Sequence, residues 1–253
     1  MLALLAGVGF RPIADIRLGS RRLTQWHLAG LPSIALSGME ERAMDTSSGL
    51  ARGVAALIAL VCWFGLAVQF NAIMDQGQSA AGTLWIMLRY FTILTNLIVA
   101  VMFTGLALGR LAFANPSLLG GTTMAIVLVG VVNHLLLRGL LELSGGAKLA
   151  DTILHYVTPI AVLVFWLVLA KKGQLTRRDP PRWALYPLAY LIYALVRGSA
   201  DGKFAYPFLD YTKGVGQTAV TVVLILLAFV AGGFALVWAD GALARPSKEA
   251  LTR

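Results

Sequence analysis

The chain has 253 residues, of which 58% are hydrophobic and only 13% are charged. With a mean hydropathy of +0.77, this composition excludes an ordinary soluble domain, whose surface needs more charge. The net charge of +9 does not indicate a nucleic-acid partner, because most basic residues lie in the connections between apolar segments.

The first 48 residues differ from the rest of the chain. The apolar run 1–10 has no positive residue before it and is too short to span a bilayer, which argues against both a signal peptide and a membrane helix. We expect residues 1–48 to form an interfacial or disordered leader. The pattern also fits an over-extended start, since Met39 or Met44 would begin the chain just before the first long apolar segment.

Six apolar segments follow, and most approach the roughly 20 residues that a membrane helix needs. They cover residues 51–70, 84–109, 121–142, 150–170, 183–197 and 214–238, the fifth being the shortest. No strand-like alternation competes with them. The sequence therefore predicts an all-α polytopic membrane protein, with a six-transmembrane-helix bundle over residues 49–239 and a tail over 240–253.

The basic residues predict the orientation of the bundle. If the amino terminus is cytoplasmic, most of the 21 lysine and arginine residues fall in the inner segments, with a dense run over residues 171–182. The outer connections hold only Lys148, Lys203 and Lys213. We therefore expect both termini in the cytoplasm.

Four of the apolar segments carry polar residues at helical spacing, which places them along one face of each helix. Polar groups within the bilayer are costly and commonly mark functional sites. The four sets are Trp85, Arg89, Thr92 and Asn96; His134, Arg138 and Glu142; Asp151, His155 and Thr158; and Tyr186, Tyr190, Tyr193 and Arg197.

The predicted depths of these polar groups agree. At 1.5 Å per residue, Thr92 and His134 lie ~12 Å below the outer surface, and His155 lies ~7 Å below it. All three fall in the outer half of the bilayer. We expect them to share one cavity.

Thr92, His155 and Asp151 form a candidate catalytic set. A hydroxyl becomes a nucleophile when an imidazole takes its proton, and a third group fixes the tautomer of the ring. Asp151 and His155 are neighbours at i, i+4, whereas contact between Thr92 and His155 requires their helices to face each other. Each residue also has a structural explanation: Thr92 bonding to the carbonyl of residue 88, and Asp151 capping a helix.

Six further polar residues are candidates for substrate binding: Arg89, Asn96, His134, Arg138, Tyr190 and Tyr206. Among them, Arg89, Arg138 and Tyr190 could stabilise an oxyanion or hold a carboxylate head group. Structural alternatives are open for them as well: His134 bonding to Asn133 or Arg138, arginines reaching the outer headgroups (the favoured explanation for Arg197), and tyrosines packing in the core.

Other classes of function fit parts of the pattern. His134 and His155, on successive helices, could ligate a haem, and intramembrane ionisable residues also occur in transporters. A membrane scaffold with buried polar contacts is the simplest alternative. Cys62 is the only cysteine, so the sequence predicts neither a disulfide nor a metal site, and no cofactor; we expect Cys62 to be a small buried residue.

Three short motifs resemble the androgen-induced-gene family of multi-pass membrane proteins, particularly its bacterial relatives. They are Arg89-Tyr90-Phe91-Thr92, His155 followed by Pro159, and the segment 204–210 with the sequence FAYPFLD. The resemblance covers residues 51–238, including the number and order of helices.

That resemblance implies a threonine hydrolase of the inner membrane that cleaves fatty acid esters of hydroxy fatty acids. It assigns the catalytic roles to Thr92 and His155 and implies a lipid or fatty-acyl ester as the partner. Oligomeric state and the exact lipid are left open.

Overall fold

The computed structural model describes residues 48–140 and 142–244, and within these ranges it is helical with no strand. The predicted leader, apart from Ser48, and tail residues 245–253 lie outside the described residues. Nine α-helices occur in the described part of the chain: α1 (Gly49–Met74), α2 (Ala80–Met87), α3 (Phe91–Ala107), α4 (Pro116–Val132), α5 (Gly145–Thr152), α6 (Thr158–Leu169), α7 (Asp179–Trp183), α8 (Leu185–Asp201) and α9 (Val215–Ala242).

Four continuous helical segments are long and apolar enough to cross a membrane. These are Gly49–Met74, Pro116–Leu137, Gly145–Leu169 and Val215–Ala242. Many of their large side chains face outward, such as Leu60 on α1 and Leu224 and Leu227 on α9. Such an apolar exterior needs lipid around it, so the chain is an all-α integral membrane protein.

The predicted second membrane helix is not continuous. α2 and α3 meet at 98°, with the break at residues 88–90. The prediction of one uninterrupted polar face from Trp85 to Asn96 is therefore wrong. Counted as one span, the bent pair brings the number of candidate spans to five.

Side chains of α8 satisfy the backbone carbonyls near this break. Tyr190 donates to the Arg89 carbonyl at 2.9 Å, and Tyr193 donates to the Leu88 carbonyl at 3.1 Å. Arg197 donates to the Trp85 carbonyl and lies over the Trp85 ring. An unpaired carbonyl in an apolar medium costs several kcal/mol, so these bonds stabilise the break.

The arginine of the fifth predicted helix therefore does not take the position expected for it. Arg197 is buried rather than extended to the headgroups. α8 has 17 residues, and at ~1.5 Å per residue it is shorter than the ~30 Å hydrocarbon core. The six-helix count is not confirmed by the lengths of the described helices.

Two π-helical turns interrupt the regular helices of the bundle. One, Asn133–Leu137, continues α4, and the other, Ile153–Val157, joins α5 to α6. Two glycines allow close packing against the second turn: a Cβ at Gly65 would meet Ile153 at 2.6 Å, and one at Gly130 would meet the carbonyl of His155 at 3.0 Å. These small residues let α1 and α4 approach the backbone that carries His155.

The buried core lies between the long helices. Its largest fully buried side chains include Phe103, Phe165 and Trp166, and the rings of Phe103 and Phe165 meet edge to face with centroids 5.0 Å apart. Cys62 is buried, as predicted, and its Sγ donates to the Asn96 carbonyl at 3.1 Å. Asn96 thereby links α1 to α3.

Candidate active site

Thr92 is the second residue of α3, directly after the break. Its side-chain hydroxyl lies 3.1 Å from Nε2 of His155, across the packed helices. Thr92 is 7% exposed. The second and fourth predicted helices therefore do face each other at these two residues, which the sequence could not establish. Among the described contacts, the Thr92 hydroxyl does not bond to the carbonyl of residue 88.

Asp151 holds the opposite side of the His155 ring. Its Oδ1 lies 2.8 Å from Nδ1, and its backbone carbonyl lies 3.2 Å from the same nitrogen. With Nδ1 donating its proton to Asp151, Nε2 is left with a lone pair towards the Thr92 hydroxyl. The three side chains thus form a linear hydroxyl–imidazole–carboxylate arrangement.

The helix boundaries exclude the capping role considered for Asp151. α5 begins at Gly145, so Asp151 lies near its end rather than in its first turn. His155 is the third residue of the following π-helical turn. The wider π turn changes the direction of the side chains that follow it, and such turns often occur at functional sites.

Tyr206 covers Thr92 from the connection between α8 and α9. Its hydroxyl lies 3.4 Å from the Thr92 backbone nitrogen and 3.4 Å from the Thr92 hydroxyl. Burial raises the pKa of Tyr206, despite the opposing hydrogen bonds from Thr92. Tyr206 is therefore a neutral phenol that can donate a proton in a hydrogen bond.

An apolar, partly open cavity lies beside these groups. Thr92, Tyr190 and Tyr206 supply its polar atoms, and no charged side chain lines it among the described residues. Carbon side chains from α4, α8 and α9 form the remaining wall, including Leu128, Val132, Leu191, Val222 and Ile225. The cavity is suited to an apolar chain whose reactive group lies next to Thr92.

A second, wider cavity lies further along the bundle, and none of the three catalytic candidates lines it. Tyr186 contributes to its wall, and the Tyr186 ring packs on Phe91 with centroids 5.0 Å apart. Phe91 lines the first cavity. These two rings therefore lie between the cavities.

The remaining predicted binding residues take different positions. Arg89 forms an ion pair with Asp201 at 2.6 Å, and Asn96 donates to the carbonyls of Thr92 and Leu154. Arg89 and Asn96 are both absent from the lining of the apolar cavity. They join parts of the backbone around the site, and the expectation that they contact substrate has no geometric support.

His134 and Arg138 are also separate from the catalytic candidates. Both are exposed, and the His134 ring meets the edge of Tyr156 with centroids 6.3 Å apart. The bonds to Asn133 and Arg138 considered for His134 are not among the described contacts. Equal predicted depth therefore did not place these two side chains beside Thr92 and His155. Regular helical spacing also ends here, because residues 133–137 form a π turn.

Sequence reasoning missed Asp201 as the partner of Arg89. A signal was present, because Asp201 lies four residues after Arg197 and extends the polar face of α8 by one more turn. However, Asp201 lies four residues beyond the predicted apolar segment 183–197.

The donor atoms do not favour a haem or metal site. Both ring nitrogens of His155 already have protein partners, and His134 faces elsewhere. Within residues 48–140 and 142–244, no three His, Cys, Asp or Glu side chains form a group suited to a metal ion. The haem interpretation gains no support from this geometry.

No protein-family model, curated protein or solved structure matches this chain. The likeness to the androgen-induced-gene family thus stays a prediction from three short motifs.

Proposed function

We propose that the protein is a membrane-embedded acyl-ester hydrolase in which Thr92 is the nucleophile, His155 the general base and Asp151 the residue that orients the imidazole. One observation carries the proposal: the Thr92 hydroxyl lies 3.1 Å from Nε2 of His155, while Nδ1 lies 2.8 Å from Asp151. This is the hydrogen-bond order required of a nucleophile, a base and an orienting carboxylate.

The proposed reaction has two stages. His155 takes the hydroxyl proton as Oγ1 of Thr92 attacks the ester carbonyl, and the protonated imidazole then gives that proton to the departing alcohol. The product of this stage is an acyl ester on Thr92. In the second stage His155 activates a water molecule, which releases the acid and restores the hydroxyl.

The cavity supports a lipid ester as the substrate class. Its carbon-lined wall matches an acyl chain, and the absence of charge from the described lining favours an uncharged segment on either side of the ester. The resemblance to the androgen-induced-gene family points to fatty acid esters of hydroxy fatty acids. A free carboxylate on such a substrate would lie outside this cavity.

The membrane arrangement proposed here keeps six crossings. The bent α2–α3 pair forms the second, and residues 183–201, which include α8, form the fifth. With the amino terminus in the cytoplasm of a bacterial cell, the catalytic residues lie towards the outer leaflet of the inner membrane, where the 202–214 connection carries Lys203 and Lys213.

Replacement of the Thr92 hydroxyl tests the proposal. Thr92→Ala should reduce hydrolysis of long-chain ester substrates to the uncatalysed background, whereas Thr92→Ser should retain measurable turnover because it keeps a nucleophile. Thr95→Ala is a matched control: Thr95 is also buried, but its hydroxyl bonds to Tyr186 at 2.9 Å.

A covalent probe reports the nucleophile directly. A long-chain alkyl fluorophosphonate should add its phosphonyl group to Thr92 in the wild type and in Thr95→Ala, with loss of fluoride, and peptide mass spectrometry locates the adduct. Wild-type turnover by purified Thr92→Ala, or an adduct on another residue, contradicts the assignment.

A further inference from the structure

Two hydrogen-bond donors meet beside the Thr92 hydroxyl, on the side that faces the apolar cavity. They are the phenol of Tyr206 and the backbone N–H of Thr92. The N–H donates to the phenolic oxygen over a long distance of 3.4 Å, and a carbonyl oxygen that enters from the cavity can replace that acceptor. Thr92 and Tyr206 both line the cavity. A carbonyl group attacked by Thr92 from this cavity would place its oxygen near both donors.

The backbone donor is free of the helical ladder. α3 begins at Phe91, so the N–H of Thr92 has no carbonyl four residues earlier within the helix. No side chain caps this end of α3. The aligned peptide dipoles also make the start of a helix favourable for negative charge.

The phenol donor is held in place from several sides. Its ring stacks on Phe208 with centroids 5.1 Å apart and meets the edge of Tyr90 at 5.9 Å. Arg89 ties the preceding chain to the α2–α3 break, because its guanidinium bonds both carboxylate oxygens of Asp201 and also the Lys203 carbonyl. The ion pair that removes Arg89 from the substrate pocket thus positions the segment that carries Tyr206.

We propose that the Tyr206 hydroxyl and the Thr92 N–H form the oxyanion hole of this site. The assignment rests on the proposed hydrolase function and identifies the groups that stabilise its transition state. In this assignment the Tyr206 hydroxyl takes part in catalysis, whereas packing against Phe208 and Tyr90 requires only its ring.

The electron flow fits these positions. As Oγ1 of Thr92 bonds to the carbonyl carbon, its proton passes to His155 and the carbonyl π pair moves onto oxygen, which receives hydrogen bonds from both donors. When that pair re-forms the carbonyl, the bond to the alcohol oxygen breaks and His155 returns the proton to the departing alcohol. Tyr206 keeps its own proton throughout.

Tyr206→Phe removes the phenolic donor and keeps the ring. Loss of one oxyanion donor typically lowers kcat by ~10²- to 10³-fold, and we expect KM to change little because ground-state contacts with the acyl chain persist. Tyr211→Phe is the control in the same connection: its hydroxyl bonds to Ser199 at 2.9 Å, away from Thr92. It should retain wild-type kcat.

Two inhibitors separate catalysis from folding. A long-chain alkyl trifluoromethyl ketone adds to Thr92 and places a negative oxygen in the hole, whereas the matching ether lipid, which has no carbonyl, only fills the cavity. Tyr206→Phe should weaken binding of the ketone by ~10²-fold or more and leave binding of the ether within about twofold.

Equal losses for ketone and ether would show that Tyr206 only shapes the cavity, and wild-type kcat in Tyr206→Phe would also overturn the oxyanion assignment. Failure of the hydrolase proposal itself appears elsewhere, as wild-type protein that neither hydrolyses esters nor acquires a phosphonyl group on Thr92. The two failures are therefore distinguishable.

Discussion

The carboxylate of Asp151 offers a quantitative test of the catalytic arrangement. Asp151→Asn preserves the size of the side chain and removes its negative charge, so the imidazolium that forms on His155 during attack loses its ionic partner. The substitution also presents an amide N–H that can compete for the ring nitrogen, which disfavours the tautomer needed to activate Thr92.

The structure sets the expected size of the effect. A hydrogen bond to a charged group contributes about 1.5–3 kcal/mol, which at ~1.36 kcal/mol per tenfold corresponds to a loss of about 10- to 160-fold in kcat. Complete trapping of the wrong tautomer would cost as much as ~10⁴-fold. We expect the smaller loss, because the backbone carbonyl of residue 151 lies 3.2 Å from Nδ1 and still accepts its proton.

Steady-state hydrolysis of a fluorogenic long-chain ester in detergent micelles measures this effect. Glu142→Gln is the control, because Glu142 is an exposed carboxylate and forms none of the described hydrogen bonds or ion pairs with the catalytic candidates. Unchanged kcat in Asp151→Asn, alongside loss of activity in Thr92→Ala, would refute the orienting role of Asp151.

Two further predictions concern packing and pH. Gly130→Ala should lower both the thermal midpoint and kcat, because the added Cβ would lie 3.0 Å from a backbone carbonyl in the π turn and such overpacking costs ~1–3 kcal/mol. Gly216→Ala is the control: the space around Gly216 is open, so this change should lower neither quantity. Equal effects of the two substitutions would contradict the packing argument. Desolvation alone would raise the pKa of Asp179, but hydrogen bonds from Ser117 and Thr176 hold that pKa below its usual value. Its ionised form therefore stabilises the fold above the unfolded pKa of ~3.9, and this stabilisation is lost as pH falls through the lower folded value. The difference in melting temperature between wild type and Asp179→Asn should be constant at neutral pH and shrink below about pH 4; a difference that stays constant in acid would contradict this linkage.

Several features of the protein follow from the sequence because they depend on local properties. Long apolar segments need no distant partner to become membrane helices. The helical segments Gly49–Met74, Gly145–Leu169 and Val215–Ala242 therefore match the predicted 51–70, 150–170 and 214–238 to within five residues at each end. Asp151 and His155 are one turn apart, so their contact is also local. The high cost of polar groups in lipid draws attention to Thr92 and His155, but it could not show that the two side chains meet.

The tertiary structure decided what depends on contacts between distant parts of the chain. The break before Thr92 contains neither proline nor glycine, and its carbonyls are satisfied by α8 side chains such as Tyr190, 101 residues later in the chain than Arg89. A π turn follows Val132, and His134 within it is exposed, outside the site that its depth predicted. Helical spacing specifies a face only while a helix is continuous and regular. Distant side chains stabilise the departures from this regularity, and these departures determined which polar groups reach the cavity.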